Sequence, residues 1–239
     1  MKKKLFLCLL VAAGSSTAFA EGPALWSSIS AEKKITKQWN AAAEVEYRSL
    51  PEFDGTDRVS IGISTDYQIL PFIKVDAGYT FMNCYSKDRI TAKNNFIPSY
   101  WYARHRTFVS ATGKIKFGMF SISLRERWQY TYRPEKSVPK FEADGETPKA
   151  DEVVKGKGTN VLRSRLLVEY NIKPIKLSPY ASVEMYHSGS GLDKTRYTVG
   201  AQYKITKKHS VEAYYRYQDR SDEDEVDGNI IGVSYKFKF

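Results

Sequence analysis

The last eleven residues read Asn229-Ile-Ile-Gly-Val-Ser-Tyr-Lys-Phe-Lys-Phe239. From Ile231 onward every second residue is apolar: Ile231, Val233, Tyr235, Phe237 and Phe239 share one side, while Gly232, Ser234, Lys236 and Lys238 share the other. Side chains of an extended segment alternate between faces, so this is a strand with one aromatic face and one charged face. As the edge of a soluble sandwich it would expose a Tyr/Phe-rich stripe and invite aggregation. As a stave of a membrane barrel, its apolar side meets lipid and its polar side meets the lumen.

The same period runs back through the chain. Trp39, Ala41, Ala43, Val45 and Tyr47 interleave with Asn40, Glu44, Glu46 and Arg48, and Val59, Ile61 and Ile63 with Arg58, Ser60 and Gly62. Phe120, Ile122 and Leu124 oppose Ser121, Ser123 and Arg125, and Tyr197, Val199 and Ala201 oppose Arg196, Thr198 and Gly200. Beyond residue 20 no apolar run approaches the roughly eighteen residues of a spanning helix. Mean hydropathy is −0.47 although aromatics make up 14% of the chain, as expected of a wall that is apolar on one side only. The reading is an all-β protein: a single transmembrane, antiparallel, up-and-down barrel.

Connections alternate in length. Short ones fall near 34–38, 69–72, 113–116, 173–177 and 205–209, and long ones at 49–57, 84–99, 134–159, 188–195 and 219–228. Barrels carry short periplasmic turns and longer external loops. The longest loop, 134–159, holds Pro134, Pro139, Pro148, Gly145, Gly156 and Gly158 and reads as irregular. Ten strands lie between Trp39 and Phe239. Residues 24–33 also alternate and would make an eleventh, against the even count of single-chain bacterial barrels. Either this segment pairs and a twelfth strand lies within a long loop, or it enters the lumen as a plug. The expectation is about 10–12 strands.

Residues 1–20 have the three parts of a secretory leader: a basic start at Lys2-Lys3-Lys4, an apolar stretch, and Ala18-Phe19-Ala20 before Glu21. The barrel is therefore assigned to 21–239. Taking those three lysines from 37 basic residues, against 27 acidic, leaves about +7. Cys84 is the one cysteine outside the leader, so no internal disulfide is expected.

Arginine recurs at i, i+2 spacing in Arg104-His-Arg106, Arg125-Glu-Arg127 and Arg163-Ser-Arg165. Such pairs share a face, and each alternates with the apolar set. Pointed at lipid they would cost about 2–4 kcal/mol each at the midplane, so they belong in the lumen. Arg48, Arg58, Arg196 and Arg216 join them there, in the outer half, and the 113–116 turn would set Arg104 opposite Arg125. Inward counter-charges are Glu44, Glu46 and Glu184, with Glu169 and Glu212 lower down. Two readings of the arginines stand: a salt-bridged filling, or an anion-selective path or vestibule. Glu126 breaks the pattern by falling on the apolar face, which implies a bulge or a snorkelling side chain.

Catalysis is not expected. A lipid-hydrolysing barrel would need His-x-Ser on one outward strand face, but residue 189 is Gly, Ser188 opposes His187, and Ser190 is one residue too far unless the strand bulges. His105 reads as a girdle residue near Trp101. No metal or cofactor constellation is present, and the acidic stretch 219–228 fails the calcium-loop pattern because Val226 takes a ligand position.

Tyr235, Phe237 and Phe239 resemble the C-terminal assembly signal of bacterial outer-membrane barrels. The stretches Trp26–Trp39, Leu162–Tyr170, Leu177–Met185 and Asn229–Phe239 resemble an uncharacterised outer-membrane family, number 2490 among domains of unknown function. That resemblance implies a barrel in the cell outer membrane and supplies no catalytic residues. Expected partners are outer-membrane lipid and lipopolysaccharide, the barrel assembly machinery and small anionic solutes, with no nucleic acid.

Overall fold

The protein is described as a computed structural model covering residues 22–189, 191–220 and 228–239. The leader segment, Ser190 and the acidic stretch 221–227 lie outside the described residues. The strands are β1 (Ala24–Lys34), β2 (Trp39–Ser49), β3 (Thr56–Leu70), β4 (Ile73–Ser86), β5 (Arg89–Ile90), β6 (Asn95–Ile97), β7 (Tyr100–Phe117), β8 (Phe120–Arg133), β9 (Lys136–Glu142) and β10 (Pro148–Val154). They continue with β11 (Lys157–Tyr170), β12 (Leu177–Ser188), β13 (Gly191–Lys204), β14 (His209–Arg220) and β15 (Gly228–Lys238).

Eleven of these close into one barrel, in the order β1-β15-β14-β13-β12-β11-β8-β7-β4-β3-β2. Residues 24–34 are neither a plug nor partnered by a twelfth strand; they pair with β2 on one side and β15 on the other. The chain alternates between a short-turn end and a long-loop end. With an odd number of staves, the first and last therefore run the same way, and the closing pair must be parallel. It is, from Ala24↔Ile230 to Glu32↔Lys238, while the other ten pairings around the barrel are antiparallel.

Parallel pairing is slightly weaker per residue, and this seam has reinforcement. Ser28 donates its hydroxyl to Ser234 Oγ at 3.0 Å. Lys238 Nζ meets Glu32 Oε1 at 2.9 Å, and the Phe239 amide donates to the Glu32 carbonyl at 3.0 Å. Near the other end of the seam, Ala24, Trp26 and Ile230 form a buried apolar cluster against Tyr214.

The outer wall is apolar and uncovered, as shown by Ile29, Ile61, Ile63, Val109, Leu124 and Val199. That is the surface a bilayer covers and water would not tolerate as one continuous band. Inside, large aromatics fit because glycines face them across the ladder. Gly232 pairs with Tyr214, and a Cβ there would lie 1.9 Å from the ring. Gly78 pairs with Phe108, and a Cβ there would lie 2.7 Å from its ring.

Three expectations about connections need correcting. The β7–β8 turn lies at 118–119, because β7 runs to Phe117 through Gly113 and Lys114. Residues 191–195 belong to β13, which pairs with β12 from Gly191 onward, so 188–195 is no long loop. The segment 134–159 is not irregular. It forms the β9–β10 hairpin, which joins β6 and β5 in a second, four-stranded sheet in which Val138 and Ile97 are buried. Its tight turn is held by Asp144, which accepts the Thr147 amide at 3.0 Å, the Thr147 hydroxyl at 2.7 Å and the Glu146 amide at 2.9 Å. These bonds hold the Asp144 carboxyl below its usual range.

Candidate functional site

The site grows from strand parity. Even-numbered residues of β1 through β4 and of β7 face inward, odd-numbered ones do so on β8 and β11, and even-numbered ones again on β12 through β15. All ten arginines read as luminal lie on these inward positions. The ladder then decides which meet. Arg125 pairs with Arg165 and Arg127 with Arg163, so the Arg-x-Arg motifs of β8 and β11 form a square of four guanidinium groups on neighbouring strands. Like charges directly opposite repel, and acids from elsewhere offset this.

Glu184 on β12 takes the diagonal of the square. It accepts from Arg125 Nη2 at 2.5 Å and from Arg163 Nη2 at 3.0 and 3.1 Å, and Tyr186 donates its hydroxyl to it at 2.9 Å. Asp76, reaching in from β4, takes Arg127 at 2.9 Å. Arg127 also lies over the Phe108 ring, 3.9 Å from its centroid. The Nε of Arg165 is enclosed with no acceptor among the described residues, as is that of Arg104. One carboxylate thus serves two arginines at the centre of the square.

A second group gathers on Trp26, whose inward position shares its parity with Ser28, Ser30 and Glu32. Arg48 stacks 3.4 Å from a Trp26 ring centroid, with Arg196 and Arg216 at 5.0 and 5.1 Å. Arg48 is forked onto Glu46 at 2.8 and 3.0 Å. Arg196 donates to the Tyr186 hydroxyl and to Gln218 Oε1, the latter at 2.6 Å, linking the two groups. Trp26, Glu184, Tyr186, Arg196 and Gln218 are each under 8% exposed, so this layer is tightly packed. The sequence reading gives Trp26, Tyr186 and Phe108 no luminal role, although parity alone marks all three as inward.

Cavities lie on both sides of the closed layer. Toward the long loops, about 130 Å³ is lined by Arg104, Arg106, Arg133, Lys157, Lys194 and Arg220, with Asp193 its one carboxylate among the described residues. Below, about 380 Å³ holds Glu32, Glu44, Asp66, Asp76 and Glu212 against Lys74, Arg125, Arg127, Arg165 and Lys236. Arg58 lies outside both cavities, beside Asp57 at 3.4 Å and Met82. Glu212 accepts the Tyr180 hydroxyl, and Glu169 sits 3.9 Å from Lys114 near the short-turn mouth. Arg104 does not face Arg125. The register sets Arg125 against Thr112 and Arg106 against Thr131, so Arg104 belongs to the upper cavity.

The remaining candidates are dispersed. Glu126 faces outward with no bulge in either ladder and accepts the Ser164 hydroxyl at 2.7 Å. His105 faces outward, its Nδ1 2.7 Å from the Tyr79 hydroxyl and its ring edge-on to Phe81; Trp101 packs against Tyr85. A register shift does occur beside His187, and Ser188 donates to Asp193 at 2.6 Å. Among the described residues no group of three or more His, Cys, Asp or Glu could hold a metal ion.

The sequence model of a family described as "Protein of unknown function (DUF2490)" matches residues 24–229. The chain belongs to that family. No curated protein sequence matches it significantly. Among solved structures, the β domain of the Bordetella autotransporter BrkA superposes with a TM-score of 0.57 at 15% identity, covering 84% of this chain and 83% of that one. This likeness is one of fold. The NanC porin gives a TM-score of 0.46 at 15% identity, covering 88% and 91%.

Proposed function

We propose that this porin-like barrel sits in the outer membrane, short turns in the periplasm, and provides a narrow binding path for small anions. The observation that carries this reading is the imbalance of charge in the closed layer and the cavity above it. Four guanidinium groups on adjacent strands share Glu184 and Asp76, and enclosed donors on Arg165 and Arg104 have no acceptor among the described residues. A cluster of arginines favours anions over cations, and low-dielectric walls concentrate them. A catalytic role has little support, since Ser188 is engaged by Asp193 and lies on the opposite face from His187.

Single-channel recording of the refolded protein under a salt gradient tests the proposal. Openings should be small and anion-selective, and Arg104→Ala with Arg125→Ala should shift the reversal potential toward zero. Silence from a folded, heat-modifiable barrel would sink it. That outcome would favour a second reading, supported by the ordered β5/β6/β9/β10 sheet, in which the lumen is closed and the loops meet a partner.

A further inference from the structure

The opposite end of the barrel has a different chemistry. Where the short turns meet the lumen, a cavity of about 570 Å³ is lined, among the described residues, by eight lysines, no arginine, and Glu169 as its one carboxylate. The lysines converge from separate elements. Lys114 and Lys116 come from β7, and Lys236 and Lys238 from β15. Lys204 ends β13, Lys207 and Lys208 follow in its turn, and Lys173 sits in the turn after β11.

Carboxylates engage only some of these ammonium groups. Lys114 is 3.9 Å from Glu169, and Lys236 and Lys238 share Glu32 at 3.9 and 2.9 Å. Among the described residues, no carboxylate lies within ion-pair distance of Lys116, Lys173, Lys204, Lys207 or Lys208. Inward parity places Lys116 and Lys204 in the mouth itself, away from the headgroup-facing rim. Gathering like charges in a concavity costs repulsion unless a counter-charge enters. Lysine, a hydrated point charge on a flexible stem, suits phosphate or carboxylate groups of varied geometry, whereas the forked arginines of the closed layer suit fixed partners. The volume falls within the range that holds small ligands.

We propose that the short-turn mouth is a binding site for compact polyanions, meaning phosphorylated or polycarboxylated solutes with two or more negative charges. The site stands apart from the arginine layer, and its occupancy does not require that layer to conduct.

Inorganic tripolyphosphate is the probe, titrated calorimetrically into the refolded full-length barrel in neutral detergent at fixed ionic strength. Binding should weaken about tenfold in Lys204→Gln/Lys207→Gln/Lys208→Gln, whose exposed charges lie at the end of β13 and in the turn that follows. It should be unchanged in Lys93→Gln, which removes an exposed charge between β5 and β6, away from this mouth and from the arginine layer. Heat-modifiable migration confirms folding of each variant. Equal affinity in wild type and triple variant would overturn the proposal, as would equal loss in Lys93→Gln. So would tripolyphosphate binding that vanishes in phosphatidylglycerol bilayers but persists in phosphatidylcholine, because the lysines would then belong to lipid headgroups. Conductance is not read here, so a silent barrel that still binds tripolyphosphate refutes the channel and leaves this site intact.

Discussion

Glu126 stands on the outer face of β8 between Leu124 and Trp128, seventh of the strand's fourteen residues, with the Ser164 hydroxyl as its one partner among the described residues. That depth leaves it too far from either strand end to snorkel readily. A carboxylate on the lipid face of a barrel is unfavourable, though less so than arginine or lysine. Replacing Glu126 with Leu should therefore stabilise the folded barrel in phosphatidylcholine vesicles by about 1–2 kcal/mol, measured by urea titration. A loss of stability would instead mean that this part of the wall faces a polar partner rather than lipid. Residue-scale reading of the sequence was strong on faces and weak on partners. Parity alone set every one of the ten arginines inward. It could not show Arg125 facing Arg165, or Glu184 bridging Arg125 and Arg163, because contacts around and across a lumen depend on the stagger between strands.

At the scale of elements, strand interiors were legible and strand ends were not. Gly113-Lys114 has the composition of a turn, yet β7 continues through it to Phe117, because a lumen-facing Lys114 costs nothing beside water and Glu169. Likewise, the prolines and glycines of 134–159 signalled breaks, but the pieces between them pair with β6 and bury Val138. The parallel seam was also hidden, since no pattern within β1 or β15 specifies which strand lies beside it. Its register makes a direct test possible. With Ser28 Oγ and Ser234 Oγ 3.0 Å apart, Ser28→Cys/Ser234→Cys should oxidise to a disulfide in the folded barrel. A link between residues 206 apart in sequence should add about 2–4 kcal/mol and raise the temperature at which the compact band is lost on unreduced gels. Cys84, buried in the wall, should not compete. Failure to cross-link, in a barrel that still folds, would show that β1 does not close against β15.

Across the whole molecule, charge changes along the axis: a basic vestibule, a closed layer, a balanced chamber, then the lysine mouth. Charge and bulk come from different groups of that layer. Arginines supply the field, whereas Trp26, wedged under Arg48, Arg196 and Arg216, supplies much of the bulk. The two can therefore be separated. Trp26→Ala removes the indole and leaves every guanidinium in place, at a stability cost of about 3 kcal/mol or more. If the arginines line a path, single-channel conductance should rise while the reversal potential under a salt gradient stays anion-selective. If they are pinned by Glu184, Glu46 and Asp76, the widened pore should pass ions with little preference. Adding Glu184→Gln should then restore selectivity by releasing Arg125 and Arg163. A variant that folds and stays silent would place the block elsewhere, and the closed layer would then be structural filling.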